Sequence, residues 1–221
     1  MHIDVLSYLG AITRVVSHRE HDGRQARVVR ASRTYDTTVE DLWDALTNPE
    51  RLPRWFLPIT GDLKVGGRYQ LQGNAGGEIT RCDPPSDLAV TWCMGPQTSW
   101  VNVHLSEDPA GGAHLQLEHV AHVPEEFWGQ FGPGAVGVGW DLALLGLALH
   151  IETGNDNDAA EFQGWTVGEE GRVFVKGCSD GWGQAAIFDG EDPDAATAAA
   201  GRTYAFYTGA PPDGSGHPEP A

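Results

Sequence analysis

One stretch limits what this chain can become: GPGAVGVGWDLALLGLALHI, from Gly132 to Ile151. Pro133 and Gly134 punctuate its start, and Gly154 with Asn155 follows its end, which are helix start and stop signals. Within it only Asp141 and His150 are strongly polar. One face carries Gly137, Trp140, Leu144, Leu147 and Ile151 at helical spacing, and the other carries Val138, Leu142, Leu145 and Leu149. A helix that is apolar nearly all round has to be covered on more than one side. At about 20 residues it could cross a bilayer by length alone. Asp141 in its middle, glycines at 134, 137, 139 and 146, and the lack of a flanking basic cluster fit a buried soluble helix better. The glycines imply a close neighbour along its first half, either a sheet or a ligand.

A chain of 221 residues suits one domain with appendages and can bury a real core. Its formal charge of −17 argues against nucleic-acid phosphate or an anionic membrane as partner. Residues 152–221 carry the larger part of that charge and read as a solvated acidic region, with an acidic docking surface as the alternative. Cys82, Cys93 and Cys178 show no CxxC spacing and read as reduced core cysteines. The opening MHIDVLSYLGAI lacks the charged start and continuous apolar run of a signal peptide, so a cytoplasmic setting is expected.

Ile3, Leu6, Leu9, Ile12 and Val16 recur one helical turn apart, which predicts an amphipathic helix over residues 3–19. Ala26–Thr34 reads as a strand. Thr38 is a plausible N-cap for a helix whose inner stripe is Val39, Leu42, Trp43 and Leu46. Asn48-Pro49 is expected to open a second short helix ending at Trp55 and Phe56. From Leu63 the period changes to two, which predicts an antiparallel meander with one buried face. Its inward set is Tyr69, Leu71, Ile79, Val90, Trp92 and Val101, continuing through Val103, Leu105, Leu115, Leu117 and His119. A loop containing VPEEFWGQF leads into the long helix. Helical segments are expected over 159–165, 167–188 and 194–207, then a disordered tail from 210 to 221. Helices on one face of an antiparallel sheet make an α+β fold. A twisted sheet around one long helix tends to leave a cavity between them.

The run from about Ala26 to Ile151 resembles the START-like, or SRPBCC, superfamily with its helix-grip fold. Within it the chain is similar to the branch named after the activator of heat shock protein 90 ATPase homologue. The matching elements are VEDLWDALTNPERLPRWF, GDLKVGGRYQL, LAVTW, LQLEHV and the GWDLALLGL helix, in that order. The resemblance implies a cavity for an apolar or amphipathic small molecule, and it does not imply co-chaperone activity. It divides the chain into an N-terminal helical extension (1–25), a START-like domain (26–152), a C-terminal helical extension packed on it (153–209) and the tail (210–221).

Candidate ligand-binding residues follow from inward position and size: Trp43, Trp55, Phe56, Tyr69, Trp92, Trp140 and Leu144, with aromatic groups offering large rigid surfaces. His119 shares the inward face and is either a structural hydrogen-bonding group, a ligand-orienting one, or an acid–base. Asp141 either bonds backbone, Arg81 or Arg68, or anchors a ligand. His119 and His122 with Glu118 and His114 do not make a metal site, because Glu118 points away from His119 on a strand. The glycine runs at 66–67, 73–77 and 132–139 lack the lysine and hydroxyl residue of a phosphate loop, and no cofactor is expected. The leading expectation is a cytosolic binding protein for a hydrophobic or amphipathic molecule. The alternative is a cyclase, aromatase or hydratase using His119 with Tyr69 or Asp141. A third is a protein-interaction or chaperone-linked module.

Overall fold

The computed structural model describes residues 3–209; the tail expected over 210–221 lies outside them. Eight antiparallel strands form one sheet in the order β1-β2-β8-β7-β6-β5-β4-β3. These are β1 (Thr13–His21), β2 (Arg24–Tyr35), β3 (Ile59–Gly61), β4 (Arg68–Leu71), β5 (Gly76–Asp83), β6 (Asp87–Met94), β7 (Gln97–Glu107) and β8 (Ala113–Ala121). The helices are α1 (Val5–Gly10), α2 (Val39–Thr47), α3 (Glu125–Phe131), α4 (Gly134–Thr153), α5 (Ala159–Val167), α6 (Glu169–Phe188) and α7 (Pro193–Thr208). The fold is α+β: a curved sheet grips α4, the long apolar helix.

The N-terminal helix expected over residues 3–19 is corrected to a short α1 followed by strand β1. Helical spacing of apolar residues there coincided with a β-branched run, and pairing decided between them. Asp22 and Gly23 both take positive φ, 49° and 71°, between the paired residues His21 and Arg24. An Asp-Gly pair suits this two-residue hairpin turn, which fixes β1 on β2. Residues 13–25 therefore belong to the sheet rather than to a helical extension. The second short helix after Pro49 is reduced to one 3-10 turn at Leu52–Arg54. The segment containing VPEEFWGQF, expected as a loop, is α3, whose Trp128 is buried under an Arg27 guanidinium.

The expected meander is present, with the three-residue β3 added at its edge. Register sets Val29 beside His119, and His119 beside Val101, so the inward set shares one concave face. A register shift between Ile79 and Arg81 bends the sheet where β5 meets β6. Thr38 caps α2 by accepting from the Asp41 amide at 3.2 Å. Asp192 does the same for α7 at Ala195, 2.9 Å.

The glycines in the first half of α4 are explained by helices, not by the sheet or a ligand. A Cβ on Gly137 would lie 2.3 Å from the Trp182 ring of α6, and one on Gly134 would lie 2.9 Å from Thr203 of α7. So the sheet covers one side of α4, while α6 and α7 cover the other. Trp182, Phe174, Val175 and Cys178 of α6 are fully buried in that second layer.

Candidate ligand cavity

Between the concave sheet and α4 lies a cavity of about 320 Å³, at the small end of the usual range for small-molecule sites. Alternation along the strands brings Tyr69, Ile79, Val90, Trp92, Val103 and Leu117 to its wall. Trp140, Ala143 and Leu144 descend from α4 at spacings of three and four, one helix face. Leu46, Leu52, Trp55 and Phe56 close one end from α2 and the turn after it. Leu63, Lys64 and Val65, between β3 and β4, stand at the rim.

The polar edges of Trp140, Trp55 and Tyr69 on the aromatic wall are satisfied inside the protein. Trp140 Nε1 donates to His119 Nδ1 at 3.0 Å, so the ring carries its proton on Nε2, which lies 2.7 Å from Ser99 Oγ. Ser99 in turn donates to the Trp92 carbonyl at 3.0 Å. This chain ties the Trp140 indole to the backbone of Trp92, and the two indole rings sit 5.1 Å apart. Trp55 Nε1 donates to the Ala45 carbonyl at 2.8 Å, and the Tyr69 hydroxyl donates to the Thr91 carbonyl at 2.8 Å. Burial pushes the Tyr69 phenol far above its ordinary range.

Six of the nine expected ligand-binding residues line the cavity: Trp55, Phe56, Tyr69, Trp92, Trp140 and Leu144. Trp43, His119 and Asp141 do not. Trp43 packs against the main core at the edge of α2, where Leu42 and Ala45 take the innermost positions. His119 stands behind the two indoles and accepts from that of Trp140. Asp141 is one residue beyond Trp140, about 100° around the helix, and faces away from the cavity. Its partners are Arg14 of β1, at 2.9 Å, and the Trp182 indole, at 3.0 Å, rather than Arg68 or Arg81. The rim residues Leu63, Lys64 and Val65 were missed, because a loop carries no periodicity to assign its side chains. Cys82 lines the cavity as well, while Cys178 is buried beside Arg14.

Burial lowers the His119 pKa to about 4, so the ring is neutral at pH 7. In the unfolded chain it titrates near 6.5. Because its folded value is depressed, its stabilising contribution is full above about pH 6.5 and is lost as pH falls toward 4. At pH 5 the loss amounts to about 2 kcal/mol. Asp141, whose burial raises it to about 6 despite Arg14, acts with the opposite sign: its contribution is present below about pH 4 and lost as pH rises through 6. Glutamine at 119 can keep both hydrogen bonds without titrating. His119→Gln is therefore expected to gain about 2 kcal/mol on wild type between pH 7 and pH 5, read from urea unfolding at both pH values. An unchanged difference would mean that His119 is not held neutral.

A sequence profile described as Activator of Hsp90 ATPase homolog 1-like protein matches residues 36–152. The crystal structure of CalU16 from Micromonospora echinospora is 31% identical, with a TM-score of 0.64, and the match covers 82% of this chain and 99% of that one. Its solution structure gives 30% identity and a TM-score of 0.66, covering 81% and 97%. The likeness to CalU16 thus reaches well beyond residues 36–152. Protein MLL2253 from Mesorhizobium loti is 24% identical with a TM-score of 0.51, covering 57% of this chain and 97% of that one, a likeness of fold. No curated protein matches the sequence significantly.

Proposed function

The chain belongs to the family of activator of Hsp90 ATPase homolog 1-like proteins, a family of ligand-binding domains, and from that premise we propose that it holds a hydrophobic or amphipathic small molecule between its sheet and α4. The observation that carries this reading is a preformed apolar cavity of which three aromatic wall residues, Trp55, Tyr69 and Trp140, are fixed by internal hydrogen bonds. Space kept open by locked side chains lowers the ordering cost of binding. The setting we assign is the cytoplasm, supported by three unpaired cysteines.

Binding without turnover is favoured over the cyclase-type reading by the fate of the proton-moving groups. A general acid or base has to reach the substrate directly or through one water. His119 uses both ring nitrogens within the protein, the Tyr69 hydroxyl is donated to a carbonyl, and Asp141 is on the far side of α4. The test is binding of the neutral probe N-phenyl-1-naphthylamine, read by its fluorescence. Ala143→Phe places a ring in the cavity from α4, and should abolish binding while the thermal midpoint stays close to that of wild type. Failure of the wild-type protein to bind, or binding that survives in Ala143→Phe, overturns the proposal.

A further inference from the structure

The indole N–H groups of Trp55 and Trp140 and the Tyr69 hydroxyl on the cavity wall are already bonded within the protein, so these edges ask for no polar group from a ligand. Among the lining residues Lys64 alone carries a charge. It sits at the rim between Leu63 and Val65, apolar side chains that line the same opening although Val65 is 56% exposed. The segment bearing it is held in place. The Gly66 amide donates to the Ile79 carbonyl at 2.8 Å, and the Ile79 amide donates back to the Gly67 carbonyl at 3.0 Å. The Gly67 amide also closes a turn on the Lys64 carbonyl at 2.8 Å. Gly67 fits there because a Cβ would lie 1.9 Å from the Asp62 carbonyl oxygen. A cation on a pinned loop at the mouth of an apolar hole is an arrangement for one kind of molecule.

We infer that the cavity takes a monoanionic amphiphile, its apolar body between the sheet and α4 and its carboxylate or sulfonate head at the Lys64 ammonium. This rests on the proposed binding function and names the ligand class for the same site. The present partner of Lys64 is Asp62, at 3.0 Å, and both side chains are mostly exposed. An exposed pair of this kind is weakly held, so a ligand head can compete for the ammonium. The overall charge of −17 does not forbid an anion here, since charges beyond about 8 Å are screened at physiological salt.

Two probes share an arylnaphthylamine body and differ in charge: neutral N-phenyl-1-naphthylamine and anionic 1-anilinonaphthalene-8-sulfonate. Both are titrated into wild type, Lys64→Gln, Lys64→Glu and Asp62→Asn, with competition between them to show a shared site. Lys64→Gln is expected to weaken the sulfonate about fivefold, the scale of one exposed ion pair. Lys64→Glu should weaken it further and Asp62→Asn should strengthen it, while the neutral probe binds all four proteins alike. If neither probe binds wild type, the binding function itself falls and this inference with it. If the neutral probe binds but the sulfonate is indifferent to position 64, or the two do not compete, the cavity stands and the anionic class is wrong.

Discussion

Cutting the chain after Thr153 is expected to yield an aggregating or molten protein, although it keeps every residue of the family match. The reason is the second face of α4. Gly134, Gly137, Asp141, Leu145 and Ala148 lie on one stripe by helical spacing, and the first three of them touch or bond α6 and α7. Truncation removes Phe174 and Trp182, both fully buried, with the apolar helix faces that carry them. Fully burying one such side chain contributes about 1.5–3 kcal/mol. Losing several, and exposing the α4 stripe to water, outweighs a total stability of about 5–15 kcal/mol. Asp141 would also lose the Trp182 indole and keep only Arg14. Size-exclusion chromatography and near-UV circular dichroism of residues 1–153 provide the check. A monomer with fixed tertiary signals and a cooperative melt would show that α5–α7 are dispensable decoration.

Much of this architecture could be read from the residues, and the failures have physical causes. Strict alternation from Tyr69 to His119 gave the concave face, because one buried side of a sheet leaves a period of two. The same alternation could not say which inward residues face a void and which face other side chains. His119 is inward and yet walled off by the Trp140 indole it bonds and by the Trp92 ring, a distinction made by side-chain length and rotamer rather than by period. Asp141 could be seen to be unusual, but its partner could not. Arg14 was read as part of a helix, and only on β1, opposite Ala31, does it point at α4. The Asp22-Gly23 pair was the local evidence for that hairpin, and apolar spacing over residues 3–16 masked it. The rim at Leu63, Lys64 and Val65 lies in a loop whose shape depends on amides of β5, so tertiary pairing had to be known first.

The Arg14–Asp141 pair makes the sharpest energetic test of the fold. Asp141 is 0% exposed and the Arg14 side chain 9%, so neither charge is solvated. Both donors, Arg14 Nε and Trp182 Nε1, converge on the same carboxylate oxygen, and Oδ1 is buried with no hydrogen bond. Desolvation is the largest influence on the carboxyl and Arg14 only partly offsets it. A pair of this kind contributes little net stability as a pair, yet losing one member strands the other. Asp141→Ala is therefore expected to cost about 3–5 kcal/mol, since it leaves the Arg14 guanidinium buried without a counter-charge. Arg14→Met with Asp141→Leu removes both charges and refills the space with apolar atoms, which can be neutral or stabilising. The Trp182 N–H then has no acceptor, a cost of about 1–3 kcal/mol. The double variant should thus lie within about 2 kcal/mol of wild type, far above the single one, in urea unfolding at pH 7. If its loss equals the sum of the losses of Arg14→Met and Asp141→Leu each measured alone, the charges do not depend on each other, and apolar packing around Trp182 alone fixes how α4 is held.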